Sequence, residues 1–263
     1  EERFSLKYIL YLLFKETNIS LPLKFRYYDN FYLRISPSNI TFGLWRKKYS
    51  IKDDIFILEK FIKDDFICFD VGANVGHLSL LMASKCKRGH VIAFEPSRKI
   101  FNYLIANIEL NKIYNIIPLN ICVSNENDII DFFEIIGGDD LSSLKIKNNT
   151  SKIISYKVIS LKLSEFLKLF NIDRIDFLKI DVEGAELMVL EGLEDKIKNV
   201  RYIWFEFLEE NYLRFGYDKM KIINFLKQNL FDLYLLDNKE LIEVNFYGLK
   251  KYKGNLLAIR NEK

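Results

Sequence analysis

The sequence predicts a doubly wound α/β sheet, and three observations predict it. Apolar residues crowd 66–71 too densely for a strand with one wet face, which marks a strand covered on both sides, as parallel strands are. That run carries Asp70 near its end, turns on Gly72 and Gly76, and restarts at helical spacing with Leu78, Leu81 and Met82. Strand-like and helix-like segments then alternate through most of the chain, the pattern of a parallel sheet joined by crossover helices.

In chain order, residues 4–14 read as an apolar helix that contains Lys7 and is too short to span a bilayer. No small-residue cleavage site follows it, so a signal peptide is not indicated. It is expected to pack on the domain or on a second copy in a homodimer, with a peripheral membrane contact as the alternative. The chain opens Glu1-Glu2 without Met, which leaves room for a portion removed before it. Residues 31–35 and 40–45 read as two short strands joined by a turn at 36–39, a small cap beside the sheet. A helical pattern over 55–62 leads into the first sheet strand.

The second strand is His90–Phe94, and Ser97 is placed to cap a helix whose apolar face is Ile100, Tyr103, Leu104 and Ile108. The third strand is expected over 115–123 and an additional one over 129–135. The Gly, Asp and Ser residues of 137–143 have the composition of a loop of the kind that carries substrate contacts. A strand at 156–159 and a helix at 161–170 precede the fourth parallel strand, 175–181. The fifth runs over 200–207, a helix follows at 220–230, and strands at 233–236, 241–244 and 255–259 complete the chain. Ligands of such sheets bind beyond the carboxyl ends of the strands. Asp70, Glu95, Asp181 and Glu206 all end strands and are expected to converge on one crevice.

Composition bounds the rest. With 49% apolar residues in 263, the chain suits one α/β domain, 53–263, carrying an N-terminal helix-and-strand extension, 1–52. Lys and Arg number 39 against 36 Asp and Glu, so no long-range attraction to nucleic acid is implied. The three cysteines, Cys68, Cys86 and Cys122, are odd in number and widely spaced, which suggests buried reduced thiols in a cytoplasmic protein rather than disulfides or a metal cluster.

The glycine turn separates two cofactor classes. A dinucleotide fingerprint, G-x-G-x-x-G, needs a glycine where this chain has Asn74 and another where it has His77, so NAD-dependent reduction is disfavoured. The Asp70-x-Gly72-x-Asn74-x-Gly76 pattern instead resembles the first motif of the class I S-adenosylmethionine (SAM) methyltransferases. Gly72 and Gly76 let the backbone approach a ligand, and the N–H groups of the new helix offer donors to an anionic group. Glu95, followed by Pro96 and Ser97, falls about where such folds place the acid that binds both ribose hydroxyls. Asn120 or the backbone of 122–124 is expected to meet the adenine. His77 opens the helix beside the cofactor, as a base, a cap or a cofactor contact.

The segments Phe69-Asp-Val-Gly-Ala-Asn-Val-Gly76, Phe94-Glu-Pro96, Leu178-Lys-Ile-Asp-Val-Glu-Gly-Ala-Glu186 and Trp204-Phe-Glu206 together resemble the FkbM-type SAM-dependent methyltransferase family. The resemblance runs from about Asp65 to Glu206. It implies a seven-stranded class I methyltransferase sheet with an antiparallel last hairpin. It also implies O-methylation, with sugar hydroxyls of glycans or glycosylated metabolites, free, nucleotide-linked or lipid-linked, as the acceptor class. Phe207 stands where the family often has a His, so no base is available there.

An alcohol must lose a proton as it attacks a methyl group, which calls for a carboxylate, a His or a metal. Lys179 and Asp181 share a strand face and Glu183 lies just past the strand end. Either acid is a candidate base, with Lys179 holding the alkoxide or neutralising the acids, and Glu206 joins them as a fourth catalytic candidate. The structural alternative is a buried Lys179–Asp181 ion pair with Glu183 opening a helix. Asp181, Glu183 and Glu206 also have the oxygen chemistry for a hard divalent ion, a minor reading, and the expected site contains no metal. The competing functions are methylation of RNA, protein or another small molecule, and a catalytically silent SAM-fold binding module.

Overall fold

The computed structural model describes residues 23–36, 38–135, 144, 153–244, 249 and 252–261. The apolar helix expected over 4–14 and the loop over 137–143 lie outside these residues. Among them, no helix is long and apolar enough to cross a membrane.

Strands β1 (Lys24–Tyr28) and β2 (Phe31–Arg34) form an antiparallel hairpin. The strand expected over 40–45 is instead a helix, Asn39–Trp45. Ile40, Phe42 and Leu44 alternate as strand residues do, but Ser38 Oγ accepts the Thr41 N–H and caps a helix there. Strand β2 therefore pairs with the preceding segment, 24–28, where the sequence predicts no strand. It is stitched to the helix Arg98–Asn111: the Tyr32 and Arg34 amides donate to Asn111 Oδ1 and Asn107 Oδ1 at 2.8 and 2.7 Å. Leu33, Leu44 and Ile51 join the same apolar cluster as Leu80, Leu81 and Val91.

The main sheet has eight strands. In chain order they are β3 (Ile67–Val71), β4 (His90–Phe94), β5 (Ile116–Leu119), β9 (Ile175–Ile180), β10 (Val200–Phe207), β11 (Phe231–Asp237), β12 (Glu240–Glu243) and β13 (Gly254–Arg260). In space they run β12-β11-β13-β10-β9-β3-β4-β5. The first five are mutually parallel, and β13 inserts antiparallel between β10 and β11. Seven strands reproduce the expected sheet with its antiparallel end, and β12 hairpins onto the outer edge as an eighth. The strand order reverses between β3 and β9, where a doubly wound sheet opens a crevice.

Period-two alternation splits these strands between two cores. Phe69, Val71, Leu178 and Ile180 face one apolar cluster, while Cys68 and Phe177 face the other. Asp70 and Lys179 therefore share a face, in register on adjacent strands. The three cysteines are buried free thiols.

The long strand expected over 115–123 divides in two. After β5 the chain leaves the main sheet at Asn120, whose amide donates to the Glu95 and Pro96 carbonyls at 2.8 and 3.0 Å. Then β6 (Cys122–Val123) joins a separate small sheet, β6-β8-β7, with β7 (Asp128–Ile135) and β8 (Ile153–Leu161).

Candidate functional site

The crevice at the reversal point holds a cavity of about 260 Å³. One wall comes from the turn after β3 and the end of β4: Val71, Gly72, Asn74, Phe94, Glu95 and Pro96. Ile121, Cys122 and Val123 add an apolar side, and Asp181, Val182, Glu183 and Glu206 form the opposite, acidic wall. Ile40 from the helix Asn39–Trp45, Tyr49 from the segment after it, Phe132 from β7, and Ile100, Leu144 and Ala185 complete the lining.

Gly72, at φ +77°, sits so close to the end of β9 that a Cβ would lie 1.8 Å from the Asp181 carbonyl oxygen. Asn74 also takes a positive φ, 50°, as a short polar side chain tolerates best. Its amide donates to Glu95 Oε2 at 2.9 Å, and the Ser97 amide donates to Glu95 Oε1 at 2.8 Å. Burial nevertheless pushes the Glu95 carboxyl up to about 7. Ser97 also caps the following helix through the Ile100 amide, as expected.

The amides of the turn bond within the protein. The Gly72 and Ala73 amides both donate to the Phe94 carbonyl, Val75 donates to Asn74 Oδ1 and Gly76 to the Ala73 carbonyl. These donors close the turn itself rather than face an anionic ligand. Gly76 starts the helix His77–Lys85 at φ +83°, where a Cβ would meet Leu104 Cδ1 at 2.4 Å.

Besides Gly76 and Ser97, four sequence-derived residues stand behind the cavity wall rather than in it. Asp70 is fully buried, accepts the Ser79 hydroxyl and pairs with Lys179. Lys179 Nζ lies 3.2 Å from Asp70 Oδ1 and 3.5 Å from Asp181 Oδ2, and donates to the Gly72 carbonyl at 2.9 Å. Burial alone would lower its pKa, but the charges of Asp70 and Asp181 prevail and raise it, so the ammonium is held protonated. Its three neighbours occupy it, which leaves neutralisation of the acids rather than contact with an alkoxide. Asn120 pins the Glu95-Pro96 backbone instead of reaching the cavity. His77 is 3% exposed, and its Nδ1 has no hydrogen-bond partner among the described residues. Burial, reinforced by the nearby Lys179 charge, pushes the imidazole down to about 3. It stays neutral beside Asp54, Lys179 and Trp204 in a smaller polar cleft.

On the acidic wall, Asp181, Glu183 and Glu206 offer oxygen atoms within 4.8 Å of one another. Asn211 Nδ2 donates to Glu206 Oε2 at 3.0 Å and to Glu183 Oε2 at 3.3 Å, and Arg214 lies 3.7 Å from Glu183. Burial first, then the charges of Asp181 and Glu183, push the Glu206 carboxyl up to about 8. Glu183 holds a positive φ of 55°, unfavourable for a non-glycine residue, within the turn that carries it to the wall. Glu186, next on that turn, accepts the Val182 and Gly184 amides and is itself raised to about 8 by burial and by Glu206. Ile40, Tyr49, Ile121 and Phe132 are among the lining residues that the sequence does not single out. Aromatic and aliphatic residues are too abundant in this chain for any one to stand out before the fold places it.

This sheet order, with its crevice between β3 and β9 and its acid after β4, defines a class I methyltransferase fold. The chain matches the Methyltransferase FkbM domain over residues 70–233 and belongs to that family of SAM-dependent methyltransferases. SAM is the cofactor of the class. Methyltransferase 1 of Beauveria bassiana is 29% identical over 151 residues, covering 51% of this chain and 60% of that protein. Hexuronic acid methyltransferase AglP of Haloferax volcanii is 27% identical over 155 residues, covering 58% of this chain and 60% of that protein. The match thus spans about three fifths of these curated relatives. Among solved structures, a precorrin-6y C5,15-methyltransferase from Geobacter metallireducens is 13% identical, with a TM-score of 0.45 over 82% of this chain and 92% of that one.

The residues present fit the cofactor. Gly72 lines the cavity with backbone alone, Glu95 presents a buried carboxylate suited to a ribose diol, and Phe94, Ile121, Cys122 and Val123 line an apolar slot suited to a flat base.

Proposed function

We propose that the chain is an O-methyltransferase acting on a sugar hydroxyl of a glycan or glycosylated metabolite. One observation carries this reading: Glu206, raised to about 8, lines the same cavity as Gly72, Asn74 and Glu95. A carboxylate with proton affinity near neutral pH is matched to removing the proton of an alcohol. The hexuronic acid substrate named for the Haloferax relative supports a sugar as the acceptor class.

SAM, when bound, supplies a methyl group already activated by its sulfonium. Gly72, Asn74, Glu95 and Pro96 would hold it on one wall, with Ile121, Cys122 and Val123 against the adenine. Asp70, Gly76, His77, Ser97 and Asn120 act at one remove, fixing the turn and the Glu95 loop.

On the opposite wall Glu206 accepts the acceptor's proton. Burial first, then the charges of Asp181 and Glu183, keep its proton affinity high, because adjacent like charges disfavour its ionisation. Lys179 offsets part of that charge through Asp181, and the Asn211 amide fixes Glu183 and Glu206 relative to each other. Because Asn211, Lys179 and Arg214 already satisfy much of the acidic wall, the reaction is assigned to carboxylates without a metal. Phe207, fully buried, has no part in the chemistry.

The reading is tested by incubating the protein with methyl-labelled SAM and a panel of sugars. Label is expected in a methyl ether, and Glu206→Gln should abolish it while retaining affinity for S-adenosylhomocysteine (SAH). Transfer at full rate by Glu206→Gln would remove Glu206 from the chemistry.

A further inference from the structure

We propose that Tyr49 positions the acceptor: its ring packs on the C–H face of the sugar and its phenol donates to an acceptor oxygen beside Asp181 and Glu206. This assignment rests on the sugar-methylation reading and extends it to a residue outside the matched region, 70–233.

The placement of Tyr49 carries the inference. Besides the main cavity, a narrow polar cleft of about 30 Å³ runs past Asp54, His77 and Lys179. Tyr49, Asp181 and Glu206 are the residues that line both. The ring thus stands at the junction where an acceptor oxygen must come to reach Glu206. It is 46% exposed, so part of its surface is free to meet a ligand. Among the described residues its hydroxyl has no hydrogen-bond partner, although burial and the nearby Asp181, Asp54 and Glu206 raise its pKa and keep it a donor. Tyrosine suits this task because it gives a large rigid apolar surface with one polar end.

Its position is also built rather than incidental. The Lys48 and Tyr49 amides both donate to the Gly43 carbonyl, at 2.9 and 3.2 Å. A Cβ on Gly43 would come within 2.9 Å of Tyr49 Cβ, so the glycine leaves the space into which the tyrosine folds. Gly43 belongs to the helix Asn39–Trp45, anchored by the buried Ser36, Ser38 and Thr41 hydroxyls.

The test uses Tyr49→Phe, Tyr49→Ala and Gly43→Ala in the full chain. Methyl glycosides of glucose, galactose, mannose, rhamnose and glucuronic acid serve as probes, and SAH calorimetry reports folding and cofactor affinity. Tyr49→Phe should raise KM for the accepted sugar by about 2- to 10-fold, the effect of one lost hydrogen bond. Tyr49→Ala should raise it by about 10- to 100-fold through the further loss of ring contact. Gly43→Ala should raise KM in the same direction by displacing the intact ring. SAH affinity, kcat and the pH dependence of kcat should stay close to those of the unaltered chain. If a sugar is methylated and Tyr49→Ala leaves its KM unchanged, this assignment falls and the sugar reading stands. If SAH affinity falls in parallel with KM, Tyr49 belongs to the cofactor pocket and the assignment is again overturned. If the unaltered chain methylates none of these sugars, both the sugar reading and this assignment fall together.

Discussion

Lys179 stands opposite Asp70 in the parallel register of β3 and β9, with Nζ 3.2 Å from Oδ1 and both side chains at most 4% exposed. The pair ties the glycine turn to the acidic wall, because the same ammonium reaches the Gly72 carbonyl and Asp181. Lys179→Met would leave the Asp70 carboxylate buried without a cation. Such a loss costs about 3–5 kcal/mol, and urea unfolding should show it as a lowered midpoint. Adding Asp70→Asn should restore part of that stability; no recovery would mean that the pair does not act as a unit.

Glu95→Ala should weaken SAH binding by about 10- to 100-fold, as expected for loss of hydrogen bonds to a charged acceptor. Calorimetry checks this, with thermal unfolding to confirm an intact fold. The carboxyl titrates near 7, and its charged form is the better acceptor. SAH affinity should therefore weaken as pH falls from 8 toward 6, and a flat profile would exclude Glu95 from the ribose contact.

Gly72→Ala should be more damaging than its one added carbon suggests. The new Cβ would meet the Asp181 carbonyl at 1.8 Å on a backbone with φ +77°, so β3 and the segment after β9 must separate. Positive-φ strain and overpacking each cost about 1–3 kcal/mol, and a lowered thermal midpoint should accompany loss of SAH binding.

Glu95, Glu186 and Glu206 hold their protons more tightly in the fold than in the unfolded chain, with values rising from 4.5 to about 7, 8 and 8. Folding therefore takes up protons between these limits, and the contribution of these groups to stability falls as pH rises from about 5 through 8. Urea midpoints across that range should decline. Activity should move the other way, because the base works deprotonated: kcat rises with pH up to about 8 and then levels.

The sheet was legible because its central strands are buried on both faces and therefore read as dense apolar runs ending in acids. Glu95, Asp181 and Glu206 sit at the strand ends where those runs stop and line the crevice, so it was readable as well, whereas Asp70 is buried behind its wall. The failures share a physical cause, a local side-chain bond that outweighs periodicity. Ser38 converts the alternating segment 40–45 into a helix, and Asn120 bends the chain away after β5. Ser38, an N-cap residue type directly before that helix, was the available signal for the first. His77 and Lys179 carried functional residue types, yet only packing shows that one is shut away neutral and the other held within an ion-pair network. Tyr49 belongs to a segment far from the motifs in sequence, brought to the site by tertiary contacts alone.

The most direct measurement follows the methyl group itself: mass spectrometry of sugar acceptors after incubation with SAM, using the unaltered chain and Glu206→Gln at matched SAM occupancy. A methyl ether on a sugar hydroxyl is expected with the unaltered chain and almost none with the variant. A methyl group found on nitrogen, or an equal yield from Glu206→Gln, would contradict the proposed function.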